Sequence, residues 1–247
     1  MSEKIKVTIW NENLHEHHAE GGLPFYPDGI HNYIKGFLSK DAGLEIRTAT
    51  IQEPEHGLTD EVLNDTDVLI WWGHMGHDQV SDAVVAKVQA RVYAGMGFVA
   101  LHSAHHSKPF KAILGATGNL SWGRDQKEVI WNLMPAHPIA EGIPEHFTLP
   151  LEELYSEPFY IPNPDAVVFG GWYEDGNIFR SGVCFLRGMG KIFYFQPGHE
   201  WCKSFHNEYV QRIIDNAIHW AKPAKIGFTV PDGAPKVEGK VIDEFDN

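Results

Sequence analysis

The sequence predicts a one-domain α/β protein built on a parallel β-sheet with helices on both faces. Three observations carry that expectation. Apolar runs of about five to seven residues recur, each followed by a Gly, His or Asn turn and then a helical pattern. The runs are continuous rather than alternating, as strands covered on both faces must be. A chain of 247 residues without a low-complexity linker fits one core better than two.

Taken in order, Ile5 to Trp10 reads as the first strand and Gly29 to Leu38 as its helix. Leu44 to Thr50 follows as a strand, then Val68 to Trp72, with Val80 to Tyr93 as a strongly patterned helix. Phe98 to His102 is the next strand and Lys108 to Leu114 a short helix. From Lys127 the pattern becomes strand-rich and turn-punctuated, with Val129 to Leu133, Ala166 to Tyr173 and Val183 to Arg187. That change predicts an antiparallel extension to a mostly parallel central sheet. Lys191 to Gln196 returns to an apolar β run, and Asn207 to Trp220 places Val210, Ile213, Ile214, Ala217 and Ile218 at helical spacing. The domain is expected to span residues 1–222, and residues 223–247 read as a polar, acidic tail containing Pro and Gly.

Lys+Arg 20 against Asp+Glu 33 gives a formal charge of −13, which repels nucleic acid and anionic lipid. No secretory h-region precedes the first strand, and no segment approaches the roughly 20 apolar residues of a membrane span. The expectation is a soluble cytoplasmic protein in which Cys184 and Cys202 are free thiols. A homo-oligomer is compatible with the sequence.

Histidine is the outlier, with 15 copies, many beside glycines or at segment ends. Open parallel sheets bind ligands beyond the carboxyl ends of their strands, so residues directly after the apolar runs are the candidates. Gly73-His74-Met75-Gly76-His77-Asp78 follows one strand, with glycines that admit close backbone approach; a turn with solvated histidines reads equally well. His102 opens His102-Ser103-Ala104-His105-His106 at a strand-to-helix corner, where α/β hydrolases carry a nucleophile. An imidazole there acts as a general base or metal ligand rather than as an acyl-transfer nucleophile. Its bland alternative is a ring bonded to local backbone, and Ser103 lacks the G-x-S-x-G setting. Gln196-Pro197-Gly198-His199-Glu200 ends another β run, so His199 and Glu200 are expected at the same edge.

Trp10-Asn11-Glu12-Asn13-Leu14-His15-Glu16 follows the first strand and offers carboxylates and imidazoles, or simply a solvated loop. Glu152-Glu153-Leu154-Tyr155 is either a polar cluster, with Tyr155 as donor, or an alternating edge strand. His137-Pro138 is either a binding residue or the start of a turn. Trp10, Trp71, Trp72, Trp122, Trp172 and Trp201 lie near these segments; their faces suit sugar C–H surfaces, though core packing is the plainer role.

These segments together resemble the ThuA-like, or trehalose-utilisation, family. The matching residues are Trp10-Asn11-Glu12 with His15-Glu16, Trp71-Trp72-Gly73-His74, Leu101-His102-Ser103, His137-Pro138-Ile139, Glu153-Leu154-Tyr155, and Gly190-Lys191 leading to Gly198-His199. They span residues 5 to about 221. The resemblance implies a flavodoxin-like fold of the class I glutamine amidotransferase type. Those enzymes carry cysteine where this chain has His102, which argues against glutamine hydrolysis. His199-Glu200 is similar to their His and Glu, which are separated by one residue there and adjacent here.

The family's link to disaccharide catabolism implies a small-molecule carbohydrate, a disaccharide or keto-sugar. The expected chemistry is proton transfer beside a sugar carbonyl, isomerisation or elimination, with His102 or His199 as base, Glu153 as its complement and Tyr155 in support. Substrate contacts are expected from Trp10, Asn11, Glu12, Trp72, His74, His105, His137 and Gln196. A divalent metal, zinc by donor preference, is expected on His102, His199 and Glu200. The competing expectations are a metal-dependent hydrolase and a non-catalytic sugar-binding protein.

Overall fold

Val68–Trp72 (β3) and Gly97–Leu101 (β4) are buried at every position, as strands must be when helices cover both sheet faces. The computed structural model describes residues 4–18 and 23–224. Around these two strands lie Ile5–Asn11 (β1), Leu44–Thr50 (β2) and Gly190–Phe195 (β9), all parallel. Their order, β2-β1-β3-β4-β9, is the flavodoxin-like order, whose ligand crevice lies where the chain reverses direction at β1 and β3.

Helices Ile30–Leu38 (α2) and Glu208–Ala221 (α6) cover one face, meeting Val7, Ile9, Val68, Ile70, Val99 and Phe193. The residues between these in each strand face Asp60–Asn64 (α3), Asp82–Tyr93 (α4) and Lys108–Leu114 (α5). Caps set the starts of the helices: Ser81 accepts from Val84 N for α4, Ser107 from Phe110 N for α5, and Asn207 from Tyr209 N and Val210 N for α6. The α6 stripe of Val210, Ile213, Ile214, Ala217, Ile218 and Ala221 is buried, as its spacing predicts. Gly97 is required where α6 ends, since a Cβ there would lie 2.6 Å from Ala221 O.

Beyond β9 the sheet continues through Ile178–Arg187 (β8), Ala166–Tyr173 (β7), Ser121–Asn132 (β5) and His146–Ser156 (β6), every pairing antiparallel. The expectation of a mostly parallel sheet is therefore corrected: the pairings of the nine strands divide evenly, four parallel and four antiparallel. Sequence reading shortened the antiparallel part because its strands have one face in water. Val129 to Leu133 catches only the inner end of β5, which stops at Asn132 and whose outer residues are mostly polar. Glu152 to Tyr155 lies in an edge strand, extended back to His146, but without the expected alternation: Glu152, Glu153 and Tyr155 are all buried.

β5 pairs with β7 only over Glu128–Asn132, while it pairs with β6 from Ser121 to Trp131. Register shifts between Gly123 and Asp125 and between Gln126 and Glu128 bend the ribbon. Its free end, Ser121–Gln126 with Glu152–Ser156, folds over the carboxyl ends of β4 and β9. No helix among the described residues is long and apolar enough to cross a membrane. The expected tail lies, from residue 225 on, outside the described residues.

Candidate active site

Three strand ends meet the bent ribbon. β4 delivers His102, fully buried, at a backbone φ of 52°, a strained left-handed corner for a non-glycine residue. Its Nδ1 lies 3.0 Å from Gln196 O and, facing a carbonyl, carries the proton. Its Nε2 therefore points into the site, 3.1 Å from Glu153 Oε2 and 3.4 Å from the Tyr155 hydroxyl. Tyr155 stacks on the His102 ring at 5.0 Å and shares a 2.7 Å hydrogen bond with Ser103.

His199 and Glu200 follow β9, and His74 follows β3. Glu200 is buried and meets His74 Nδ1 at 2.9 Å, His15 Nε2 at 3.1 Å and His199 Nε2 at 3.6 Å. The other ring nitrogen of His199 faces Asp125 Oδ1 at 3.2 Å, a carboxylate brought in by β5. His74, His102, His199 and Glu200 each offer a donor atom, all within 4.8 Å of one another. The chain's expected metal set gains His74 by this geometry. Asp125, His199 and Cys202 form an adjoining group.

The fields in the site follow from these neighbours. Burial opposes charge on His102, but the Glu153 carboxylate, with Glu152 and Glu200 behind it, outweighs burial and pushes the ring up to about 9. Burial likewise opposes the Glu200 charge, yet His74, His199 and His15 hold the carboxyl down to about 2. Glu153 is also lowered, against burial, by His102. Its Oε2 is buried and lacks a well-directed donor, because His102 Nε2 approaches off the hydrogen-bond line. Burial raises Tyr155 well above the phenol range, and Glu153 adds to it, so it is a neutral donor.

Glu152, adjacent on β6, does structural duty. Its carboxylate accepts from Gly198 N, His199 N and the Ser204 hydroxyl, clamping the turn that presents His199. Gly198 has a φ of 142°, and a Cβ there would lie 2.7 Å from Phe205 Cζ.

Several expected substrate contacts are placed differently. Trp10 is buried, stacked 3.8 Å from Trp71, with its indole N–H on His56 O; it is a core residue because its position in β1 faces the helices. Asn11 is spent on Glu16, His31 and Asn13. Glu12 accepts from Met75 N at 2.7 Å and Gly76 N at 2.8 Å, so Gly73 and Gly76 leave room for a carboxylate rather than for a ligand. Trp72 is buried and donates to Gly198 O. His137 begins a turn, accepting from Ile139 N, and packs on Trp220; that is the end of α6 beside the amino end of β4, away from the site. Gln196 donates to Glu153 O and keeps a buried Oε1 without a partner.

His74, His105, Glu153 and Tyr155 do line one pocket of about 210 Å3, with Ser103 and Trp122 among its other walls. Nothing in the local sequence marks Asp125, because its role arises from a bulge. His15 sits in a quoted motif, but its contact with Glu200 is a tertiary event.

The model of the ThuA family, described as trehalose utilisation, matches residues 6–221. The chain belongs to this family. Among solved structures, a protein described as ThuA-like from Parabacteroides merdae superposes with a TM-score of 0.69 at 16% identity, covering 93% of this chain and 94% of that one. A second such protein, from Bacteroides uniformis, gives 0.61 at 16% identity, with 89% and 91% covered. A protein named as cytoplasmic from Salmonella typhimurium gives 0.59 at 12% identity, with 89% and 100% covered. At these identities the likeness is one of fold. No curated protein sequence matches the chain.

Proposed function

We propose that this ThuA-family protein is a cytoplasmic enzyme of carbohydrate metabolism. It transfers a proton beside a sugar carbonyl, by isomerisation or elimination of a disaccharide or keto-sugar, at a divalent metal centre. One observation carries the reading: three imidazoles and a carboxylate converge at the carboxyl edge, with Glu153 Oε2 beside them, 3.1 Å from His102 Nε2. The family's description supplies the substrate class, and the Salmonella neighbour's name supports the compartment.

The donor set suits zinc, which takes imidazole and carboxylate in compact four-coordinate sites. Two rings are also anchored through their outer nitrogens, His102 on Gln196 O and His199 on Asp125, as metal-bound imidazoles are. When bound, the ion supplies Lewis-acid polarisation of a carbonyl oxygen. With His199 and His102, the latter only once the ion has displaced its Nε2 proton, as the residues that would hold it, the acid–base role falls to Glu153, which removes the proton from the carbon beside the carbonyl and returns it to carbon or oxygen. Tyr155, fixed by Ser103, donates a hydrogen bond from its hydroxyl to a sugar oxygen and keeps its proton. Buried packing around His102 keeps bulk water from Glu153.

Metal analysis and turnover of keto-disaccharides in deuterated water test the proposal together. The expected result is about one equivalent of metal, activity lost to chelator, and deuterium in the recovered sugar at the carbon beside the carbonyl. Bond hydrolysis without deuterium would replace proton transfer by metal-dependent hydrolysis. Saturable binding without turnover would make the protein a sugar-binding one.

A further inference from the structure

The site pocket encloses about 210 Å3, below the roughly 300–1,000 Å3 of pockets that enclose larger ligands. It has room for one sugar ring. At its rim stands Trp122, 74% exposed, more than any other large apolar side chain among the described residues. Such exposure leaves apolar area in water that folding elsewhere removes. Trp122 lies directly opposite Tyr155 in the β5–β6 ladder, and opposed residues of an antiparallel pair project to the same face. The phenol stands at the inner end of the pocket and the indole at its mouth. Glu153 is the wall's carboxylate, and among the described residues no Lys or Arg lines the pocket, which disfavours a phosphorylated sugar.

Resting on the carbohydrate reading above, we propose that Trp122 is the platform for the second ring of a neutral disaccharide. The first ring enters the pocket beside Glu153 and Tyr155, and the apolar C–H face of the second lies on the indole. Trp122 thereby sets the preference for disaccharide over monosaccharide.

Calorimetric titration of the metal-loaded full chain with trehalose and with glucose tests this. Wild type should bind trehalose more tightly than glucose, and Trp122→Ala should weaken trehalose about tenfold. Glucose affinity should stay within about twofold, since the ring in the pocket keeps its contacts. Trp122→Phe, which keeps a ring, should retain most of the trehalose affinity. Trp172→Ala, another exposed tryptophan lying outside this pocket, should change neither. Unchanged trehalose binding in Trp122→Ala, or equal losses for both sugars, would overturn the platform. Wild type binding neither sugar would overturn the platform, and would sink the carbohydrate reading as well if the keto-disaccharides of the turnover test also failed to bind.

Discussion

The parallel and antiparallel halves of the sheet build the site by different rules. In β3, β4 and, apart from Lys191, β9 the strands are buried throughout, and chemistry appears only where each strand ends, as His74, His102 and His199 with Glu200. In β5 and β6 it appears within the strands, as Asp125, Glu153 and Tyr155, because the ribbon bends over the edge and turns its inner face to the histidines. In the proposed reaction, one half therefore supplies the metal-type donors and the other the proton carrier and the anchor. A rigid platform fixes the first set, and a bulged ribbon aims the second.

The strongest way to break that division is Glu153→Gln. Turnover should fall by about 10²- to 10⁴-fold, the range for loss of a positioned acid or base, while metal content measured by elemental analysis stays at the wild-type level. Loss of metal along with activity would place Glu153 among the ligands and erase the distinction. Asp125→Asn comes next: weakening the hold on His199 should lower metal affinity by about 10- to 100-fold in a chelator competition. No change there would mean that β5 contributes nothing to the donor set.

Stability separates the halves further. Ile9 is fully buried in β1, and Ile9→Ala should cost about 2–5 kcal/mol in denaturant unfolding; Ile178, 62% exposed in β8, should cost within about 0.5 kcal/mol as Ile178→Ala. Equal losses would show that the antiparallel face is covered in solution. The smallest effect concerns Glu157, at the end of the ribbon. Burial opposes its charge, but Arg180 and Phe159 N outweigh that and lower its carboxyl. A depressed folded value contributes stability that is present above the unfolded value of about 4.3 and lost as pH falls through the folded one. Glu157→Gln should flatten that acid limb in melts taken from pH 5 downward.

The same division decides what the sequence makes legible. Val68 to Trp72 and Lys108 to Leu114 are read to the residue, and His102 and His199 are found at the edge, because a continuous apolar run ended by a turn announces both the strand and its exit. β6 and the outer part of β5 offer no such run: with one side in water, Glu152 to Tyr155 reads as a polar cluster or an edge strand and the outer part of β5 carries no pattern, so Asp125 is invisible and Glu153 ambiguous. Trp10 misleads for the opposite reason, since a tryptophan at a strand end faces either a ligand or the helices, and only the register of β1 against β3 decides. His137 misleads because a His-Pro pair starts a turn wherever it lies.

The grip of Glu12 on Met75 N and Gly76 N has a consequence for anyone recombining relatives of this protein. The loop that carries His74 is held by a side chain some sixty positions earlier in the chain, in space kept clear by Gly73 and Gly76. The two loops are one transferable part. A chimera that imports the segment around His74 without its own Glu12 should misplace the imidazole, even when every residue of the imported loop is correct.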